Sequence, residues 1–168
     1  MTKLLLAVHV LAAIITIGPV TVAASMFPPA VRRAATAPGD PAHPAHLAHL
    51  AHLATVRTLH RICRVYAVIA VAVPVFGLAT ANSLHVLGSA WLITSIALTV
   101  LAAVVLGARI LPRQGSALAA LGGEAGTPDL ALAQRIAGQL GMFTGVFNLL
   151  WATVTVLMII RPGSTTGV

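Results

Sequence analysis

The sequence predicts an all-α fold, a polytopic four-transmembrane-helix bundle with up-down-up-down topology. Of its 168 residues, 58% are hydrophobic and only 8% are charged, and the mean hydropathy is +0.98. Soluble domains carry about 25% charged residues. Four apolar segments are each close to the roughly 20 residues that a helix needs to cross about 30 Å of hydrocarbon. The chain therefore forms one membrane domain, residues 1–168.

The four segments predict helices over approximately residues 4–27, 57–80, 90–111 and 129–160. The first segment follows Lys3 and resembles a signal peptide, but it is longer than the 7 to 15 apolar residues of such a signal. We therefore expect a retained helix. The connection 81–89 is short, so the second and third helices form an antiparallel hairpin. Proline residues in the first and second helices, Pro19 and Pro74, predict kinks.

Two long loops, 28–56 and 112–128, complete the predicted topology. Pro28-Pro29 in the first loop and Gly122-Gly123 in the second predict irregular backbone. Thr127 is expected to cap the fourth helix, with Pro128 in its first turn. The second and fourth helices are expected to project one to three turns beyond the bilayer.

The orientation follows from the basic residues. One side of the predicted bundle holds nearly all of the ten Lys/Arg residues, leaving Lys3 and Arg161 on the other. The positive-inside rule therefore predicts cytoplasmic long loops, with both termini and the 81–89 turn outside the cytoplasm of the inner or plasma membrane. The residues on the cytoplasmic side are Arg32, Arg33, Arg57, Arg61, Arg64, Arg109, Arg113 and Arg135.

The net charge of +7 calls for an anionic partner. Because the basic residues flank apolar segments, that partner is the lipid bilayer and not nucleic acid. Arg57, Arg61 and Arg64 share one face with His60 and are predicted to bind lipid headgroups. A specific anionic ligand is the alternative.

Histidine residues raise the question of a metal. Residues 42–54 form a low-complexity repeat with histidine at every third position, from His43 to His52. Neighbouring histidines of a helix could hold a metal there, but the simpler interpretation is a solvated extension of the second helix.

His9 is the clearest ionisable side chain within an apolar segment, which makes it a functional hypothesis. His85 and Met158 are predicted to approach the same outer level. His9, His85 and Met158 would suit copper, and His9 with His85 could ligate haem iron. The alternative for His9 is a neutral side chain that hydrogen-bonds a hydroxyl or a backbone carbonyl.

The fourth segment contains a GxxxG pair, Gly141 and Gly145, followed on the same face by Asn148. Small residues let helices approach closely, and an asparagine can hydrogen-bond across the contact. The contact is either with another helix of this chain or with a second protomer, in a homodimer or a larger membrane complex.

Residues 4–11 (LLLAVHVL), 17–20 (IGPV) and 59–66 (LHRICRVY) resemble a family of small bacterial four-helix integral membrane proteins of unknown function. The resemblance covers nearly the whole chain except the histidine repeat. More distantly, His9 and Gly18 are similar to the membrane domain of copper-resistance proteins. This similarity implies a four-helix fold more than it implies copper.

The sequence contains no Gly-rich phosphate loop, HExxH, GxSxG or carboxylate pair. We therefore expect a non-enzymatic protein, either an accessory or interaction subunit or a small-molecule permeation protein. The alternative is a haem- or copper-binding membrane protein that uses His9 and His85.

Overall fold

The structure is a computed structural model and describes residues 2–36, 46–122 and 127–163. Within these residues the fold is all-α, as predicted, and four helices are each long and apolar enough to cross a membrane. Their lengths of 35, 38, 33 and 31 residues exceed the roughly 20 that crossing requires. The helices are Thr2–Thr36, His46–Ser83, Ala90–Gly122 and Leu130–Ile160.

Two of the four long helices contain an interruption. The first and fourth are continuous and are called α1 (Thr2–Thr36) and α6 (Leu130–Ile160). The second consists of α2 (His46–Ile69) and α3 (Ala72–Ser83), separated at residues 70–71. The third consists of α4 (Ala90–Val104), a π-helical segment (Val105–Ile110) and α5 (Leu111–Gly122).

Both long loops are shorter than predicted. Helix α1 continues through Pro28-Pro29 to Thr36, α2 already begins at His46, and α5 continues to Gly122. Proline inside a helix costs about 3 kcal/mol or more because it removes a backbone hydrogen bond and its ring clashes with the preceding turn. Burial of the following turns against the bundle offsets that cost. Residues 37–45 and 123–126 lie outside the described residues.

The start of α6 also differs from the prediction. Asp129, not Thr127, is the capping residue, and its Oδ1 accepts a hydrogen bond of 2.9 Å from the backbone N–H of Leu132. Pro128 therefore precedes the cap instead of lying in the first turn. An aspartate at this position both accepts an N–H and places negative charge at the positive end of the helix dipole.

The four long helices form a ring in which α1 and α6 are neighbours and pack against the other helices. Helix α1 packs against α2, α3 and α6, and α6 also packs against α4 and α5. Helix α2 contacts α5 and closes the ring at one end. Packing between α3 and α4 is confined to the region of the turn that joins them. The ring of helices is therefore open on the side between α3 and α4.

The two ends of the bundle differ in packing. We call the end that carries Arg61, Arg64 and Arg113 the basic end, and the end with the turn at residues 84–89 the turn end. The main buried core includes Phe27, Val31, Val56, Ala117, Leu121, Ala133 and Ile136. A small separate cluster at the turn end contains Ala81, Trp91 and Leu92. Most of the buried side chains therefore lie toward the basic end.

Candidate functional site: a lateral cleft and a basic pocket

An apolar cleft of about 270 Å³ lies where the ring of helices is open. Its walls come from all four long helices, with the second and third on either side of the opening. Several wall residues are exposed on the side of the bundle, including Val71, Pro74 and Ala103. The lining residues are Ile17, Val20, Ala67, Ala70, Val71, Pro74, Thr99, Ala103, Leu106, Gly107, Phe147 and Trp151.

The interruption between α2 and α3 forms one wall of this cleft. Pro74 has no N–H to donate to the carbonyl of Ala70, and its ring would clash with that carbonyl in a regular helix. The carbonyl accepts instead from the N–H of Val73 at 3.0 Å, while the N–H of Val71 bonds to Val68 at 3.2 Å. The interruption predicted at Pro74 is therefore present. Helix α1 continues without interruption through Pro19.

The π-helical segment forms the facing wall, through Leu106 and Gly107. Pro112 follows this segment and cannot donate to the carbonyl of Ala108, so a regular helical bond is missing there. Single π-helical turns are found frequently at functional sites. Irregular backbone at membrane depth is tolerated where it is buried or lines a cavity. Both interruptions of the bundle thus border one cleft.

Helix α6 contributes two aromatic side chains to this cleft. Trp151 lines it and meets Phe147 edge to face, with ring centroids 6.3 Å apart. The Nε1 of Trp151 is buried, as are Thr144 Oγ1 and Asn148 Oδ1 on the preceding turns, and none of the three has a partner among the described residues.

His9 contacts α3 through its ring. Its Nδ1 lies 2.9 Å from the backbone oxygen of Val73. A carbonyl oxygen can only accept a hydrogen bond, so Nδ1 is protonated and donates to it. Nε2 takes no part in this hydrogen bond. The ring packs directly on Gly77, where a Cβ atom would lie 2.9 Å from His9 Cε1. The geometry agrees with the alternative for His9, a hydrogen bond to a backbone carbonyl.

The structure does not bring His9 and His85 together. His85 is exposed in the turn with φ of 56°, and it follows Gly77 by eight residues. Helix α3 ends at Ser83, so the helical part of this separation rises about 9 Å from the position of His9. Ligands of one metal ion must place their nitrogen atoms about 2 Å from it.

Met158 packs instead on the cluster of Ala81, Trp91 and Leu92. Neither His9, His85 nor Met158 lines either of the two cavities described here. Over residues 2–36, 46–122 and 127–163, no group of three His, Cys, Asp or Glu side chains has metal-binding geometry. Haem or copper binding by His9, His85 and Met158 stays a hypothesis.

The histidine repeat extends α2 from His46 onward, as the simpler interpretation predicts, but His46 and His49 are partly buried instead of fully solvated. The rings of His46 and His49 stack with centroids 6.4 Å apart. His43 lies outside the described residues. Metal binding by the repeat stays a hypothesis.

A second cavity, of about 300 Å³, lies at the basic end and is called the basic pocket. It is lined by His60, Arg61, Arg64, Val65 and Val68, all from α2. The face predicted to bind headgroups thus contains an open depression that two of its arginines border. Arg57, also predicted to bind headgroups, is exposed one turn away and does not line the pocket.

His60 is held in place from behind by α5. Its Nδ1 is 3.1 Å from Oε1 of Gln114, whose side chain is completely buried. Gln114 Nε2 donates to Sγ of Cys63 at 3.5 Å, which assigns its oxygen as the acceptor for His60. This chain of contacts joins the pocket to the α2–α5 packing that closes the ring of helices.

Gly141 and Gly145 lie on the exposed face of α6, and nothing among the described residues comes within 4 Å of a Cβ atom built on either. The GxxxG pair therefore does not pack against another helix of this chain, and contact with a second protomer stays a prediction. Asn148 does make an interhelical bond, since its Nδ2 donates to Ser25 Oγ of α1 at 3.1 Å.

Three features are not predicted from the sequence. The first is the packing of His9 on Gly77, a small residue of the kind that lets membrane helices approach closely. At the basic end, Arg113 lies 4.7 Å above the ring of Phe143. At the turn end, Arg161 lies 5.7 Å above the ring of Trp91. Arginine and aromatic residues near both ends of apolar helices are a signal of membrane boundaries.

No family model matches the chain, and no curated protein or solved structure matches it significantly.

Proposed function

We propose that this chain is a non-enzymatic membrane accessory protein that binds the hydrocarbon chain of a membrane amphiphile in the lateral cleft. The observation that carries the proposal is the meeting of two backbone interruptions, at Ala70–Val71 and at Leu106–Gly107, on one cleft. Interrupted helices that frame a side opening are a costly arrangement, which a binding role would explain.

The chemistry of the lining supports a hydrocarbon ligand. The cleft walls are aliphatic and aromatic, apart from Thr99 and the indole of Trp151. The hydroxyl of Thr99 already donates to the backbone oxygen of Ser95 at 2.8 Å. No lining side chain is titratable, so the cleft offers neither a general acid nor a general base. This supports binding rather than catalysis.

The proposal includes a multi-pass orientation in the inner or plasma membrane. We place the basic end in the cytoplasm, with both termini and the turn at residues 84–89 outside. From Arg64 to Ser83 the second long helix has 19 further residues, which rise about 28 Å and match about 30 Å of hydrocarbon. The cleft then lies in the half of the hydrocarbon core nearest the cytoplasm.

Fluorescence quenching tests the cleft, because the chain has two tryptophans and only Trp151 lines it. In vesicles of lipids brominated in mid-chain, a Trp91→Phe protein should show strong quenching of Trp151. Adding Ala103→Phe, which fills the cleft from α4, should reduce that quenching at least about twofold.

Ala97→Phe is the matched control, since Ala97 is an exposed alanine of α4 that does not line the cleft. It should leave the quenching of Trp151 unchanged. Equal quenching in the Ala103→Phe and Ala97→Phe proteins, with both folded by circular dichroism, would refute hydrocarbon binding in the cleft.

The visible spectrum and the metal content test the alternative of haem or copper at His9 and His85. We expect a colourless protein without stoichiometric copper after purification in mild detergent. A Soret band or one equivalent of copper that disappears in His9→Ala would replace our proposal with the alternative.

Labelling of single cysteines tests the orientation in a Cys63→Ala background. His85→Cys and Ser116→Cys place thiols at exposed positions of the turn end and the basic end. An impermeant reagent added outside intact cells should label residue 85 and not residue 116. Labelling of residue 116 and not of residue 85 would show that the bundle has the opposite orientation.

A further inference from the structure

The basic pocket and the lateral cleft lie next to each other along the second long helix. Arg64 lines the pocket and Val71 lines the cleft. They are seven residues apart and therefore share one face of the helix, about 10 Å apart along its axis. Val68, between them, lines the pocket and is 74% exposed. A molecule with a polar head in the pocket can thus extend an apolar chain along this face to the cleft.

The pocket has the chemistry of a phosphate site. Two guanidinium groups offer planar sets of N–H donors that match phosphate oxygens in pairs. Residues 2–36, 46–122 and 127–163 contain one acidic residue, Asp129, and its carboxylate caps α6. Among these residues no carboxylate is therefore placed against Arg61 or Arg64, and the pocket can accept an external anion.

The back of the pocket is held by hydrogen bonds to α5, while Arg61 and Arg64 are exposed. Gln114 holds His60 from a fully buried position on α5, and Cys63 holds Gln114 in turn. Val65 and Val68 continue the open depression toward the hydrocarbon. A pocket that is basic at one side and apolar at the other fits the junction between a lipid headgroup and its acyl chains.

We propose that the amphiphile is an anionic phospholipid whose phosphate binds Arg61 and Arg64 beside His60 and whose acyl chain passes Val68 into the lateral cleft. For the acyl chain this inference rests on the proposed function, and for the headgroup it rests on the basic pocket alone. In the proposed orientation the pocket faces the cytoplasmic leaflet, whose anionic lipids attract basic groups.

Native mass spectrometry of the full chain in detergent tests the proposal by titration with phosphatidylglycerol, phosphatidylcholine of the same acyl chains, and inorganic phosphate. Phosphatidylglycerol should bind about tenfold more tightly than phosphatidylcholine. Arg61→Gln and Arg64→Gln should each weaken phosphatidylglycerol binding about tenfold, because each removes charge-assisted hydrogen bonds. Arg135→Gln, an exposed arginine of α6 outside the pocket, is the matched control and should leave binding unchanged.

The outcomes separate the headgroup from the acyl chain. Loss of lipid binding in the arginine variants, with normal binding in Ala103→Phe, would keep the headgroup site and remove the cleft as the acyl-chain site. Loss in Ala103→Phe alone would keep the cleft and overturn the headgroup site. An equal loss of phosphatidylglycerol binding in Arg135→Gln would show that binding depends on overall charge and not on the pocket, which would overturn the proposal. Inorganic phosphate that binds as tightly as phosphatidylglycerol would identify free phosphate as the ligand and would likewise overturn it.

Discussion

The basic end and the turn end of the bundle use the same four helices but pack them differently. At the basic end α1, α2, α5 and α6 enclose fully buried side chains, including Phe27, Val31 and the amide of Gln114. At the turn end α3 and α4 are held together only near their turn, and the buried cluster is small. The cleft opens between the closely packed core of the basic end and the small cluster of the turn end.

In the proposed membrane placement, the solvent around each end accounts for this difference. Where helices extend past the bilayer, burial of apolar side chains removes them from water, at about 25 cal/mol per Å². Within the bilayer the lipid tails are as apolar as leucine, so burial brings no such gain and contacts rely on close packing and hydrogen bonds. An opening therefore costs less within the membrane than at the basic end.

The largest expected effect is at the basic end. Phe27→Ala removes a ring that is 0% exposed and leaves a cavity, so it should lower the free energy of unfolding by about 3–5 kcal/mol. Unfolding in mixed micelles measures it. The neighbouring Met26→Ala, at a side chain 53% exposed, should change stability by less than about 0.5 kcal/mol. Equal losses would contradict the difference between buried and exposed faces.

The next effect concerns the contact that joins α1 to α3. Gly77→Ala places a Cβ 2.9 Å from His9 Cε1 and should destabilise the protein by about 1–3 kcal/mol through overpacking. Adding His9→Ala removes the clash and should recover most of this loss, which a double-mutant cycle measures. Gly18→Ala, where nothing lies within 4 Å, is the control. A cycle without coupling would show that His9 does not pack on Gly77.

A smaller effect distinguishes the two candidates for the cap of α6. Asp129→Ala loses the bond to the N–H of Leu132 and should cost about 1 kcal/mol. Thr127→Ala should be neutral by the same unfolding measurement. A larger loss of stability in Thr127→Ala than in Asp129→Ala would show that Thr127, the residue predicted from the sequence, caps α6.

The smallest expected effect is a gain. Gly145→Ala replaces an exposed glycine within α6, where a Cβ meets nothing within 4 Å, and should stabilise the protein by about 0.5–1 kcal/mol. Thermal unfolding in detergent at several protein concentrations measures it. A loss that depends on protein concentration would instead indicate that this face contacts a second protomer.

Much of the architecture was predictable because it depends on local composition. Apolar runs near 20 residues predicted four helices, and Pro74 predicted the interruption of the second. The extent of α1 was not predictable from Pro28-Pro29, because the burial of residues such as Val31 outweighs the local preference. Asp129 was in the sequence as a capping residue, but helix ends are uncertain by one or two residues without the backbone.

The candidate site was predictable only in its basic part. Regular spacing placed His60, Arg61 and Arg64 on one face of a helix, where they do form a pocket. The cleft was not predictable, because its walls come from segments far apart in the sequence, such as Ala70, Leu106 and Trp151. For the same reason the contacts of His9 with Val73 and Gly77 could not be predicted from spacing alone.

Four helices suited to a membrane follow from hydropathy and length, which are properties of each segment. Three features depend on the folded chain: which helices separate, where the two interruptions meet, and the support that Gln114 gives the basic pocket. These depend on contacts between segments, and a one-dimensional pattern specifies which face of a helix is apolar without specifying what that face meets.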